Sequence, residues 1–151
     1  MTADASAMTL RVRGVEPGDA DAVADLLEAL GYPCTKAEAK ARVAHFREEA
    51  RQFLVLAERD GEPAGLAAMQ LNYSLTRGAD VARLTALVVA QDCHGHGIGR
   101  RLLREMETLA RRNGAVRLEV TSNPTRTGAH AFYHACGYTD GSRHFVKLLG
   151  D

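Results

Sequence analysis

The chain lacks net charge, because 19 Lys and Arg residues are balanced by 19 Asp and Glu. That balance argues against broad electrostatic binding to nucleic acid or to an acidic membrane surface. Gly and Pro are not extreme, at 14 and 4 residues, which sets aside collagen-like and low-complexity chains. No apolar run approaches the length of a membrane span, and no signal-peptide core follows the N-terminus. A cytoplasmic protein without membrane contact is therefore expected. Cysteine is scarce too. Cys34, Cys93 and Cys136 are odd in number, far apart and without a Cys-x-x-Cys pair, which disfavours a disulfide framework. What is present is a chain of 151 residues, read as one domain over 1–151 and long enough to bury a single core. Residues 1–7 are small and polar and are expected to fray.

Hydrophobic periodicity gives the order of elements. Leu10 and Val12 alternate with Arg11 and Arg13 as a short strand does. Asp19 is placed to cap a helix through about Leu30, with Ala22, Val23, Leu26, Leu27 and Leu30 as its apolar stripe and Gly31 as its stop. Thr35 with Glu38 makes a capping box that opens a second helix to about Phe46. Residues 53–58 and 64–72 flank Asp60-Gly61, the dipeptide preferred in primed hairpin turns. Residues 81–90 are nearly continuously apolar from Leu84 onward, Thr85 excepted, and predict a strand buried on both faces. A helix with Ile98, Leu102, Leu103, Met106, Leu109 and Ala110 on one face follows, then a strand over 116–121. These three pieces make a β-α-β unit with parallel strands. A last helix spans about Thr127 to Cys136, and Tyr138-Thr139 with Phe145–Leu149 predicts a closing antiparallel pair.

Between strand and helix stands Ala90-Gln-Asp-Cys-His-Gly-His-Gly-Ile-Gly-Arg100. A helix N-terminus carries backbone N–H groups without intrahelical partners and a partial positive charge. Glycines let a bulky anion approach that backbone, so the turn predicts a phosphate site. It is not a P-loop, since Gly99 is followed by Arg100-Arg101 rather than Lys-Ser or Lys-Thr. It is not the dinucleotide fingerprint either, because the required third glycine is Arg100 or Leu102, depending on the starting glycine.

The order of elements, with His94-Gly-His-Gly-Ile-Gly-Arg-Arg-Leu-Leu103 followed by Ala129-His-Ala-Phe-Tyr-His-Ala-Cys-Gly-Tyr138, resembles the GNAT superfamily of acyl-CoA-dependent N-acetyltransferases across essentially the whole chain. The resemblance implies an α/β fold with a mixed, mostly antiparallel sheet, two splayed parallel strands and about four helices. It implies transfer of an acetyl group from acetyl-CoA, the only cofactor expected and one that needs no metal, to an amine by direct attack on the thioester. The pyrophosphate of coenzyme A would lie on the backbone of His94, Gly95, His96, Gly97, Ile98, Gly99 and Arg100. Backbone groups of Leu87, Val88 and Val89 would pair with the pantetheine arm and polarise the thioester carbonyl. Tyr133 would protonate the leaving thiolate.

The chain departs from the family pattern at three places. His94 stands where the family has Gln or Arg, and an imidazolium near phosphates predicts weaker coenzyme A binding as pH rises above neutrality. The asparagine usual seven residues before the tyrosine is Arg126 here, with Asn123 ten before, so either is a candidate cofactor contact. The central-strand glutamate that serves many members as general base is absent. Glu119 is the substitute, with a cross-strand ion pair to Arg83 or Arg117 as its competing role and His130 as runner-up. Cys93 and Cys136 are poor nucleophile candidates, one in the turn and one on an apolar helix stripe. His130, His134 and Cys136 have no partner set that would make a zinc site. The acceptor would enter beside the first two helices and the 74–80 loop, and a small molecule or a peptide both remain open, as does a homodimer. The alternative function is a non-catalytic acyl-CoA sensor.

Overall fold

A computed structural model describes residues 8–121, 127–141 and 144–150. The chain divides into two compact units, Met1–Glu119 and Val120–Asp151. The first runs β1 (Leu10–Gly14), α1 (Ala20–Leu30), α2 (Lys36–Glu48), β2 (Gln52–Arg59), β3 (Glu62–Ser74), β4 (Ala79–Val89), α3 (Ile98–Arg112) and β5 (Ala115–Val120), whose last residue opens the second unit. The helix α4 (Thr127–Ala135) belongs to the second unit. No helix among the described residues is long and apolar enough to cross a membrane.

The strands form one five-stranded sheet in the order β1-β2-β3-β4-β5. The pairs β1–β2, β2–β3 and β3–β4 are antiparallel. The strand β5 follows β4 through the crossover helix α3, the connection that parallel neighbours require, and this makes the sheet mixed.

Local chemistry explains most of these elements. Asp60 and Gly61 take φ of 51° and 83°, the left-handed pair of a primed turn. Asp60 Oδ1 accepts the Thr9 N–H at 2.9 Å and so ties the hairpin tip to the start of β1. Helix α2 opens on the expected capping box: Thr35 Oγ1 accepts the Glu38 N–H at 3.0 Å, and Glu38 Oε1 accepts the Thr35 N–H at 2.8 Å. Asp19 occupies the N-cap position of α1 without making the side-chain cap bond. Its carboxylate instead accepts the Glu16 N–H at 2.7 Å and two bonds from Arg13, at 2.8 and 2.9 Å.

The sheet is covered on both faces. Leu56, Leu66 and Val88 cluster with Val23, Ala24 and Leu26 of α1 and Ala39 and Val43 of α2. On the other face Ile98, Leu102, Leu103 and Met106 of α3 are buried to 1% exposure or less. That contact depends on Gly65 of β3, where an added Cβ would stand 2.8 Å from Leu102 Cδ1 and 3.2 Å from Ile98 Cγ2.

Two expectations need correction. Residues 138–141 and 144–150 contain no strand, and Phe145, Leu148 and Leu149 are 85%, 87% and 90% exposed. Apolar alternation makes a strand only where a ladder partner accepts its N–H and C=O groups. The apolar run of β4 is also not buried throughout, because Leu84 and Val88 are buried while Ala86, Leu87 and Val89 are only half-buried.

Candidate active site

The site begins with an irregularity in β4. Ala68 faces Ala86 and Met69 faces Leu84, so Thr85 has no counterpart on β3. Such a bulge bends the strand and redirects its groups. Thr85 Oγ1 donates to the Ala68 carbonyl at 3.3 Å. Beyond the bulge the ladder resumes with Leu87, Val88 and Val89 opposite Ala67, Leu66 and Gly65. The Ala90 N–H donates to Ala64 O at 2.8 Å, and the Val88 carbonyl lies against Gly65. By antiparallel alternation, Leu87 and Val89 turn their N–H and C=O groups to the opposite flank. On that flank Glu119 of β5 lies beside Arg83, with Arg83 Nη2 3.5 Å from Glu119 Oε1. There β5 ends one residue later, at Val120, whereas β4 continues to Val89. The flank of Leu87 and Val89 thus extends past the end of β5.

After a short 3-10 turn over Gln91–Cys93 the chain reaches the glycine turn. Gly95 and Gly97 hold φ of 84° and 76°, a conformation that other residues enter at a cost. No atom lies within 4 Å of where a Cβ would stand on either one, so the backbone is open to an approaching group. Gly97 is the N-cap of α3 and supplies no side-chain cap, which leaves the first-turn donors for an external acceptor. His94, Gly95, His96, Gly97 and Arg100 are exposed, and Gly99 is half-buried. Ile98 is in the core, so only its backbone faces the turn. An exposed, uncapped helix start of this kind suits an anion.

The ring of His94 does not project outward from the turn. Its Nε2 lies 3.0 Å from the Val89 carbonyl. Because a carbonyl only accepts, Nε2 carries the hydrogen. Cys93 is buried beside it, with its Sγ 3.9 Å from Arg59 Nη1 and 3.6 Å from Asp92 Oδ1.

Glu119 combines both of the ion pairs expected as its competing role. Arg83 takes Oε1, and Arg117 Nε lies 3.2 Å from Oε2. Arg83 pairs with Gln70, two residues from Ala68 on β3, so alternation puts it on the face of Leu66 and Ala68. That face carries a cavity of about 190 Å³ between the sheet and helices α1 and α2, lined by Leu27, Arg42, Phe46, Leu66, Thr85 and Ala86 among others.

In the second unit Tyr133 is half-buried on α4. Its ring stands edge-on to Phe132 and Tyr138, with centroids 5.3 and 5.9 Å away. His134 Nε2 is 3.1 Å from Asp140 Oδ1, and His130 is half-buried. Among the described residues no three His, Cys, Asp or Glu side chains gather as a metal-binding group. Asn123 and Arg126 lie outside the described residues. Two structural contributors escape sequence reasoning: Gly65 gives only the weak signal of a glycine inside a strand, and Thr85 is the one polar residue in an apolar run.

Residues 20–138 match the model of the acetyltransferase (GNAT) family. The aminoalkylphosphonate N-acetyltransferase of Salmonella typhimurium is 34% identical over 94 residues, which cover 62% of this chain and 61% of that protein. The type 1 aminoglycoside N(6')-acetyltransferase of Stenotrophomonas maltophilia is 31% identical over 87 residues, 56% of this chain and 57% of that one. The match thus spans less than two thirds of either relative. An aminoglycoside N-acetyltransferase solved in complex with CoA superposes with a TM-score of 0.84 at 14% identity, over 93% of this chain and 95% of that one, a likeness of fold.

Proposed function

The chain belongs to the GNAT acetyltransferase family, and on that premise we propose that it moves an acetyl group from acetyl-CoA to the amine of a small molecule. The observation that carries this is the open, uncapped turn at the start of α3, placed directly after a strand whose flank runs past its neighbour. The turn would take the pyrophosphate of the substrate acetyl-CoA on the N–H groups of residues 96–100. The outward N–H and C=O groups of Leu87 and the N–H of Val89 would pair with the amides of the pantetheine arm, the Val89 carbonyl being held by His94. One of those N–H groups would hold the thioester oxygen as negative charge develops on it. A small-molecule acceptor is supported by the two relatives, whose names specify aminoalkylphosphonate and aminoglycoside amines. The family match runs through both compact units, which supports treating them as one functional domain.

The chemistry balances without an enzyme nucleophile. The amine nitrogen, once neutral, attacks the thioester carbon, a C–N bond forms and the C–S bond breaks. Glu119 would take the amine's proton through a water, since each of its oxygens keeps a lone pair beyond its ion pair. Tyr133 would give a proton to the departing thiolate, a role that rests on the motif from Ala129 to Tyr138. Replacement of Tyr133 by Phe is expected to lower kcat about 100-fold or more while the KM for acetyl-CoA changes little. Steady-state rates with acetyl-CoA varied make that test, and an unchanged kcat would remove Tyr133 from the mechanism.

A further inference from the structure

Tyr133 begins the last turn of α4, and the way that helix stops bears on its ring. Gly137 holds φ of 94°. Its N–H donates to the His134 carbonyl at 3.0 Å, and the Tyr138 N–H reaches back to the Tyr133 carbonyl at 3.0 Å. These two bonds make a Schellman stop, which brings the residue after the left-handed glycine against the one that opens the last turn. Here both residues are tyrosines, and their rings meet edge-on with centroids 5.9 Å apart. The other ring against Tyr133 belongs to Phe132, its neighbour on the same helix. The stop by itself does not require such a contact. Helix α1 ends in the same way, with Gly31 at φ of 104° and the Tyr32 N–H donating to the Leu27 carbonyl at 2.9 Å. There Tyr32 is left 63% exposed, whereas Tyr138 is half-buried.

We propose that Tyr138 is a positioning residue, whose ring holds the Tyr133 phenol in the placement from which it protonates the departing thiolate of coenzyme A. The proposal rests on the acetyl-transfer reading above and on the role given there to Tyr133. A tyrosine on a helix has two χ1 wells open to it, and proton delivery to one sulfur uses only one placement of the hydroxyl. The Tyr138 ring occupies the space on one side of Tyr133 and so narrows that choice. The chain beyond is also tied back to the helix, with Asp140 Oδ1 3.1 Å from His134 Nε2. Both of those side chains are exposed, and an exposed pair contributes little. The ring contact is therefore the one that sets the phenol, and the ring of Tyr138 rather than its hydroxyl is the working part.

The test uses the full chain with acetyl-CoA varied and coenzyme A release followed. The acceptor is 2-aminoethylphosphonate or kanamycin, whichever turns over faster. Tyr138→Ala is expected to lower kcat about tenfold and to leave the KM for acetyl-CoA within about twofold. Tyr138→Phe keeps the ring and is expected to retain at least about half of kcat, with Tyr138→Leu between the two. A double-mutant cycle separates positioning from a merely structural role. Once Tyr133→Phe has removed the phenolic hydroxyl, Tyr138→Ala should change kcat by less than about twofold. Equal losses in both backgrounds, a kcat untouched by Tyr138→Ala, or a loss in Tyr138→Phe as large as in Tyr138→Ala overturns the inference and leaves acetyl transfer standing. Where Tyr138→Ala is unfolded at the assay temperature by circular dichroism, Tyr138→Leu takes its place in the cycle. A kcat unchanged by Tyr133→Phe removes the acid role and this inference with it. Absence of turnover with both amines removes the transfer reading itself, and the inference falls with it.

Discussion

Asp19 holds three groups at once: the two guanidinium nitrogens of Arg13 and the Glu16 N–H. The Arg13 contact is the larger cause that keeps its carboxyl below the usual carboxylate range, against the opposing cost of burial. A carboxylate depressed in the folded state contributes stability above its unfolded pKa of about 3.9 and loses it as pH falls through the folded value. Asp19→Asn is therefore expected to cost about 1–2 kcal/mol at pH 7. The difference in Tm should stay constant down to about pH 5 and close below about pH 4. Thermal melts at pH 7, 5 and 3 read that out, and a gap that widens in acid would contradict it. His94 makes the other contact at this scale that bears on the site. The hydrogen on its Nε2 serves Val89 in both the neutral tautomer and the cation. The expectation that coenzyme A binds less tightly above neutrality is untouched by that contact, and equal affinity at pH 6 and pH 8.5 would contradict it. His94→Ala, by loosening the end of β4, should raise the KM for acetyl-CoA about fivefold.

Among the elements, α3 depends most on a single position outside itself. Gly65→Ala would drive a methyl into Leu102 and Ile98. Overpacking of this kind costs about 1–3 kcal/mol, offset by about 0.4–1 kcal/mol from the stiffer unfolded chain. A lower Tm is expected, by about 2–4 °C for each kcal/mol in a chain of this size. A double-mutant cycle with Leu102→Ala should give a coupling above about 0.5 kcal/mol, and additive effects would place the strain elsewhere. The elements legible in the sequence are those whose cause is local. The Asp60-Gly61 turn, the Thr35–Glu38 capping box and the 3.6-residue stripe of α3 are each written within a few residues. The bulge at Thr85 is not, because it is defined by what β3 places opposite it. The direction of the His94 ring depends on a carbonyl five residues back that the turn folds beneath it. The expected strand over 145–149 failed for the converse reason. It has the pattern, and no strand among the described residues pairs with it.

At the scale of the whole molecule, the family match and the open turn at the start of α3 point to one cofactor. The family's folding plan was legible because two motifs stood at the right separation in the right order. The acceptor side was not, since the residues that line the space between the sheet and helices α1 and α2 come from five separate elements that only the fold assembles. The central claim is that this chain is a transferase and not a sensor that binds acyl-CoA without turnover. Its most direct test is mass spectrometry of the amine after incubation of the purified protein with acetyl-CoA and 2-aminoethylphosphonate, with coenzyme A release measured in the same sample. The account predicts a singly acetylated amine formed in step with coenzyme A over many turnovers. Tight binding of acetyl-CoA with no acetylated product from 2-aminoethylphosphonate or from kanamycin would contradict it.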